Sequence, residues 1–257
     1  MHAAPEVLSH HRPTVVLLHA FPLDLRQFEP QLNALKDEYN VFGLDLPGFG
    51  GSPFDSHLTI ERMAAHVQST LTTLQTGPVV LGGVSLGGYV ALGFTRQHPQ
   101  ALSGLILADT RAEPDSDEAR AKREENIQFV EEQGSAALVE KMLPSLLGES
   151  TRRERPDVVE MVRQIGSEQT VEALIAGLAA LRDRPDATGN LAHIPVPTLV
   201  VRGEEDAVTP LEAMRAMADA LPHGEFVAIP RAGHLSNLEA PDEFNFVVRE
   251  FLGGLNL

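Results

Sequence analysis

Ser85 stands in Gly83-Val84-Ser85-Leu86-Gly87, a Gly-x-Ser-x-Gly pattern. A serine hydroxyl is a poor nucleophile until a base takes its proton, so this pattern asks for partners elsewhere in the chain. The apolar run Pro78–Val84 precedes it and a helical pattern, Leu86–His98, follows. That is the strand-to-helix setting in which the pattern carries chemistry. Gly83 and Gly87 leave room for a turn tight enough to lift the hydroxyl out at the end of the strand. The start of the next helix would aim free backbone N–H groups at the same place. A phosphate loop is disfavoured, because no Lys-Ser or Lys-Thr pair follows the glycines.

Of the ten histidines, His234 is the one expected to serve as base. It lies in Arg231-Ala232-Gly233-His234-Leu235, after the last strand run and before the last helical pattern, hence at the same sheet edge as Ser85. An imidazole that shuttles a proton needs an acceptor to fix its tautomer. Asp206, in Gly203-Glu204-Glu205-Asp206, follows the run Thr198–Arg202 and gives the chain order Ser, Asp, His. Asp109, after the run Leu102–Ala108, competes for that role, and Glu204 and Glu205 are further carboxylates nearby. An oxyanion needs two donors. Leu86 offers one N–H, directly after Ser85. Phe21, in the loop His19-Ala20-Phe21-Pro22, offers the other, since Pro22 has none.

These residues must be carried by a scaffold. Thr14–His19, Val41–Leu46, Pro78–Val84, Leu102–Ala108, Thr198–Arg202 and Glu225–Ile229 are short apolar runs. Continuous apolar strands are what a parallel sheet covered on both faces requires. Helical patterns at Leu25–Lys36, Ile60–Leu74, Leu86–His98, Pro210–Ala220 and Asp242–Leu252 alternate with them. The alternation predicts an α/β fold with a doubly wound, mainly parallel sheet. It breaks between Ala112 and Gly189, where four helices are expected: Ser116–Gln133, Ser135–Leu147, Pro156–Gly166 and Glu168–Leu181. Residues 112–189 therefore form an inserted helical lid on a core of residues 1–111 and 190–257. The charged run Glu113–Glu125 is read as a solvated outer face. Phe129, Met142, Leu146 and similar residues form apolar stripes that pack against one another or roof the cleft.

The net charge of −16 repels nucleic acid and anionic membranes. With no cysteine in the chain, thiolate chemistry is excluded. No metal-ligand spacing joins the histidines. The first residues lack the basic start and apolar run of a signal peptide, and no stretch approaches the ~20 apolar residues of a membrane span. A cytoplasmic monomer or small homo-oligomer is expected, acting on a small molecule.

His19-Ala20-Phe21-Pro22, Asp45-Leu46-Pro47-Gly48-Phe49-Gly50-Gly51-Ser52, the Ser85 turn, Gly203 to Pro210 and Gly233-His234 together resemble the α/β-hydrolase superfamily. The segment His-Ala-Phe-Pro-Leu-Asp and the helical lid are most similar to its small esterase and 3-oxoadipate enol-lactonase branch. The resemblance implies an acyl-enzyme mechanism without a cofactor, on carboxylic esters or lactones of small acyl compounds. Two other reactions keep the same triad: carbon–carbon bond hydrolysis and perhydrolysis. The alternative of another class is a non-catalytic protein that binds a small molecule under the lid. His19, Ala20, Arg26 and Arg111 are candidates for the substrate pocket, the two arginines as partners for a substrate carboxylate. Ala20 departs from the glycine usual after this histidine. Only 13 residues precede the strand at Thr14, so the family's leading hairpin is expected to be shortened or absent.

Overall fold

The computed structural model describes residues 8–9 and 12–255. The expectation about a leading hairpin falls largely on residues 1–7, 10 and 11, which lie outside the described residues. Six parallel strands form one sheet in the order β2-β1-β3-β4-β5-β6. They are β1 (Thr14–Leu18), β2 (Asn40–Leu44), β3 (Val79–Val84), β4 (Leu102–Ala108), β5 (Thr198–Gly203) and β6 (Gly224–Ile229). Chain order reverses at β1, which lies between β2 and β3; crevices at the carboxyl ends of strands near such a reversal are where open α/β sheets bind ligands.

Side chains alternate across a strand, so each strand feeds two cores. Val16 and Leu18, Leu105 and Leu107, and Val200 face one layer, built by α2 (Ile60–Leu74), α3 (Leu86–Gln97) and α8 (Leu211–Ala220). Val15 and Leu17, Ile106 and Ala108, and Leu199 and Val201 face the other. There α1 (Glu29–Leu35), the short α9 (Ser236–Glu239) and α10 (Pro241–Gly253) supply Leu35, Leu238, Phe244 and Val248. Both faces of β1, β3, β4 and β5 are thus covered, which is why their sequences read as unbroken apolar runs. The run at β2 ends at Leu44, earlier than its composition suggests. Asp45 turns the chain away there, its carboxylate accepting from Leu25 N–H (2.8 Å) and Gly51 N–H (2.8 Å).

Between β4 and β5 the chain is helical: α4 (Asp117–Leu146), α5 (Glu149–Glu154), α6 (Pro156–Ser167) and α7 (Val171–Arg182). A break at Gly134 (φ 82°, ψ 174°) divides α4 into the two pieces expected from the sequence. Thr170 caps α7 by accepting from Ala173 N–H (3.2 Å), so that helix starts later than Glu168. The short α5, Glu-Ser-Thr-Arg-Arg-Glu, was not anticipated, because six residues with only Thr151 buried show no apolar period. Within the insertion α4 packs on α6 and α7, and its buried residues divide between the two cores.

Candidate active site

Ser85 sits between β3 and α3 with φ 51° and ψ −108°. Such positive φ is rare for a side-chain-bearing residue and marks a backbone held under strain. The glycines explain how the turn closes. A Cβ on Gly83 would lie 2.2 Å from the Gly87 carbonyl group, and one on Gly87 would lie 2.0 Å from Leu18 O. The Ser85 N–H donates to Ala108 O (2.9 Å), and Thr110 Oγ1 donates to Ser85 O (3.0 Å).

Three segments meet at this turn. Ser85 Oγ lies 2.8 Å from His234 Nε2. His234 Nδ1 lies 3.0 Å from both Asp206 Oδ1 and Asp206 Oδ2. The carboxylate can only accept from Nδ1, so Nδ1 carries the proton and Nε2 is free to accept from the serine hydroxyl. All three residues are buried. Asp206 is held from the far side by Val208 N–H (2.7 Å), Thr209 N–H (3.1 Å) and a short bond from Thr209 Oγ1. Burial pushes the Asp206 carboxyl up, but the His234 charge and these donors outweigh it and hold it below the ordinary carboxylate range. Burial pushes His234 down, and Asp206 more than compensates, leaving the imidazole above its ordinary value.

Asp109, the rival acid, is fully buried at the same edge but makes no hydrogen bond to His234. Its Oδ1 accepts from Gly203 N–H (2.8 Å), and its Oδ2 accepts from Ser236 N–H (3.1 Å) and Ser236 Oγ (2.5 Å). Burial and the neighbouring Asp206 push its carboxyl up to about 8. Glu205 is occupied elsewhere, accepting from Ser150 N–H (2.8 Å) and Ser150 Oγ (2.5 Å).

Leu86 opens α3, so its N–H is an orphan donor of the first turn. Phe21 lines the same cavity as Ser85. Among the described residues neither N–H donates to a protein acceptor. The Phe21 loop is fixed from behind. His19 Nε2 accepts from Leu46 N–H (3.0 Å), which puts the proton on Nδ1, 2.9 Å from Ala20 O. Ala20 N–H donates to Gln27 Oε1 (2.8 Å). Burial lowers the His19 pKa and keeps the ring neutral.

The cavity over Ser85 measures about 510 Å³. That is within the usual range for small-molecule sites. Phe21, Met142, Leu146, Leu181 and Val208 give it apolar walls, and Arg111, Lys122, Arg123 and Lys141 bring positive charge. Asp115 is the carboxylate among them. It is shared by Arg111 (3.1 Å), Arg123 (3.1 Å) and the buried Arg184 (2.6 Å). Arg111 Nε and Asn126 Oδ1, both on this cavity, are buried without a partner among the described residues.

Of the four pocket candidates, only Arg111 lies on this cavity. His19 and Ala20 have no exposed surface; they sit behind the loop and hold Phe21 in place. Arg26 is turned away, paired with Asp24 (2.7 Å) and Glu168 (2.6 Å), and lines a second cavity beside β2. Lys122, Arg123 and Lys141 were not anticipated. Lys122 and Arg123 fall in the run read as a solvated face, and one helix turn of Lys and Arg looks the same on a surface as on a cleft rim.

The sequence model of the alpha/beta hydrolase family matches residues 15–245. The chain belongs to the alpha/beta hydrolase family. Among family members of known structure, a thermophilic esterase from Thermogutta terrifontis superposes with a TM-score of 0.91 at 40% identity, covering 96% of this chain and 90% of that one. An enol-lactonase from Burkholderia xenovorans LB400 gives 0.88 at 26% identity, covering 96% and 94%. In sequence, the pimeloyl-[acyl-carrier protein] methyl ester esterase of Xanthomonas oryzae pv. oryzae is 30% identical, covering 95% of this chain and 97% of that protein. No described helix of this hydrolase is long and apolar enough to cross a membrane.

Proposed function

We propose that this hydrolase cleaves carboxylic esters or lactones of small acyl compounds through an acyl-enzyme on Ser85. The observation that carries the reading is the unbroken hydrogen-bonded line Ser85 Oγ, His234 Nε2, His234 Nδ1, Asp206. Its esterase and enol-lactonase relatives support the substrate class. Ser85 Oγ attacks the carbonyl carbon while its proton passes to His234 Nε2. The tetrahedral oxyanion is received by the N–H groups of Phe21 and Leu86. Collapse breaks the carbon–oxygen bond, and the leaving alkoxide takes the proton back from His234. Water then attacks the acyl-enzyme, with His234 as base, and returns the acid and free Ser85. Asp206 holds the tautomer and stabilises the imidazolium.

Residues 112–189 act in this reading as a lid, since α4 brings Met142 and Leu146 over Ser85. A cavity of about 510 Å³ favours short acyl chains. The cations on its rim favour acyl compounds that carry a carboxylate, in a chain whose overall charge is −16. The test is a fluorophosphonate probe followed by an ester series. Ser85 should be the labelled residue, and kcat/KM should fall from acyl chains of about six carbons to about twelve as volume runs out. Failure to label Ser85 in folded protein would remove the serine mechanism, and rising efficiency with chain length would remove the small-acyl class.

A further inference from the structure

The carboxyl end of β4 is bonded to the three segments that carry Ser85, Asp206 and His234. Asp109, its first residue beyond the strand, has φ 48°, a left-handed conformation uncommon outside glycine. Its N–H donates to Val201 O on β5 (2.9 Å), so the backbone is pinned there. Its carboxyl reaches in two directions. Through Oδ1 it accepts from Gly203, three residues before Asp206, and Asp206 N–H in turn donates to Gly203 O (3.1 Å). Through Oδ2 it accepts from the N–H and hydroxyl of Ser236, two residues after His234. The next residue, Thr110, donates to the carbonyl of Ser85 itself.

We propose that Asp109 is a positioning residue that holds the Asp206 loop and the His234 loop in one register, with Thr110 fixing Ser85 to the same strand end. The inference rests on the reading of Ser85, His234 and Asp206 as the reacting set. A residue spent on packing alone needs no side-chain bonds to two separate loops, yet each oxygen of Asp109 is given to a different one. Placement matters here because a misplacement of about 1 Å at a reacting centre costs on the order of 10²-fold in rate. The ionisable groups that act on Asp109 are Asp206 and His234, and Glu239 also acts on His234. The charge of Asp109 adds to that of Asp206 in raising the His234 value, so charge and geometry have to be separated by the choice of variant. Asp109→Asn removes the charge but keeps an acceptor for Gly203 N–H, whereas Asp109→Ala removes both. A His234 titration that moves further in Asp109→Ala than in Asp109→Asn reports geometry.

The experiment compares Asp109→Ala, Asp109→Asn, Ser236→Ala and Thr110→Val with the wild type. The readouts are kcat, KM, the pH dependence of kcat/KM and the thermal midpoint. Asp109→Ala is expected to lose ~10–100-fold in kcat with KM changed less than ~2-fold, because the reacting groups are displaced and the binding walls are not. Its acid limb should move to lower pH, since an imidazolium with a displaced Asp206 is less stabilised. Asp109→Asn keeps an acceptor for Gly203 N–H and should recover most of the loss. Ser236→Ala and Thr110→Val should each lose a smaller factor, ~3–10-fold, and only Ser236→Ala should move the limb. Wild-type kcat and an unmoved limb in Asp109→Ala, whatever its thermal midpoint, would overturn the proposal. Should that variant fail to fold, the same two results in Ser236→Ala would overturn it. Ser85→Ala separates the two readings. Activity in Ser85→Ala defeats the serine mechanism. Its loss beside unaffected Asp109 variants defeats only the positioning role.

Discussion

The cleft over Ser85 and the groove beside β2 are built from similar parts. The cleft, about 510 Å³, contains Ser85 and His234, with Asp206 behind the imidazole. The groove, about 710 Å³, contains Ser52, His66 and Asp45. It is the larger and holds all three residue types, so volume and composition alone would favour it. The wiring differs. Ser85 Oγ is bonded to an imidazole, whereas Ser52 Oγ is buried without a partner among the described residues. His234 lies between a serine and a carboxylate. His66 lies against the Asp45 backbone, and burial lowers its pKa. The Asp45 carboxylate is given to Leu25 N–H and Gly51 N–H, so it holds a loop. Three residue types make a nucleophile only when a proton has a path between them, and of these two regions it is the cleft that has the hydrogen-bonded line the proposed mechanism needs.

The widest separation between the two regions is expected at the serines. Ser85→Ala should lower kcat on a p-nitrophenyl ester by roughly 10⁵–10⁶-fold, since the covalent route goes with the hydroxyl. Ser52→Ala should stay within ~2-fold, having no base to lose. Comparable losses in both would break the comparison. The carboxylates should separate next. Asp206→Asn should cost about 10³–10⁴-fold in kcat through loss of the tautomer and of imidazolium stabilisation. Asp45→Asn should instead lower the thermal midpoint, with kcat per folded molecule nearly unchanged. A reversed pair of results would mean that the groove is the reacting site.

Much of this contrast was legible in the sequence, and for identifiable reasons. Gly83, Ser85 and Gly87 declare a turn whose sterics only glycine satisfies, and the flanking periodicities fix its setting. His234 and Asp206 could be placed at the Ser85 edge from the sequence because each follows a strand run, and parallel strands deliver all their carboxyl ends to one edge. What the chain did not disclose depends on directions of side chains across long sequence separations. Arg26 and Arg111 look alike beside the motif loops, yet Asp24 and Glu168 draw the first into the groove and Asp115 holds the second on the cleft. Glu168 is distant in sequence from Arg26, and no local pattern announces that pair. Arg123 likewise reads as a solvated helix position until Asp115 is seen to gather it inward.

The wired site also makes activity and stability respond to pH in opposite senses. His234 must be neutral to take the Ser85 proton, so kcat/KM should fall about tenfold per pH unit below its raised pKa. Stability follows a different rule. The His234 imidazolium contributes fully below the unfolded value of about 6.5, and that contribution is lost as pH rises through the folded value. Asp109 adds to the decline. Its unfolded carboxyl ionises near ~3.9, while the folded one keeps its proton up to about 8. On the acid side Asp24, Asp115 and Asp206 are held below the ordinary carboxylate range, each by its partners against burial. Their contribution is present above that range and lost as pH falls through their folded values. Scanning calorimetry should therefore place the maximum thermal midpoint below pH ~6.5, where activity is still rising. A midpoint that climbs steadily from pH 6 to 8 would contradict these assignments.

The smallest expected effect separates the two arginines and sharpens the comparison most finely. Arg111 lies on the cleft, about one-fifth exposed (22%), with one bond to Asp115 and an unpartnered Nε. Asp115 keeps Arg123 and Arg184 without it. Arg111→Ala therefore leaves no buried charge unpaired. What it removes is a cation from the rim, and a substrate carboxylate near it should be the group that notices. On an ester whose acyl chain ends in a carboxylate, kcat/KM should drop ~10-fold, about the worth of one charge-assisted bond. On the neutral ester of equal length it should change less than ~2-fold. Arg26→Ala should leave both ratios alone, because its guanidinium is spent on Asp24 and Glu168 in the groove. Its partner Asp24 is only 2% exposed, so the loss leaves that buried carboxylate with Gln169 Nε2 and a backbone N–H but no cation, and the thermal midpoint should fall. Equal responses of the charged and neutral esters to Arg111→Ala would show that the positive rim takes no part in recognition. A selective loss in Arg26→Ala would show that the groove, and not the cleft, receives the substrate's charged end.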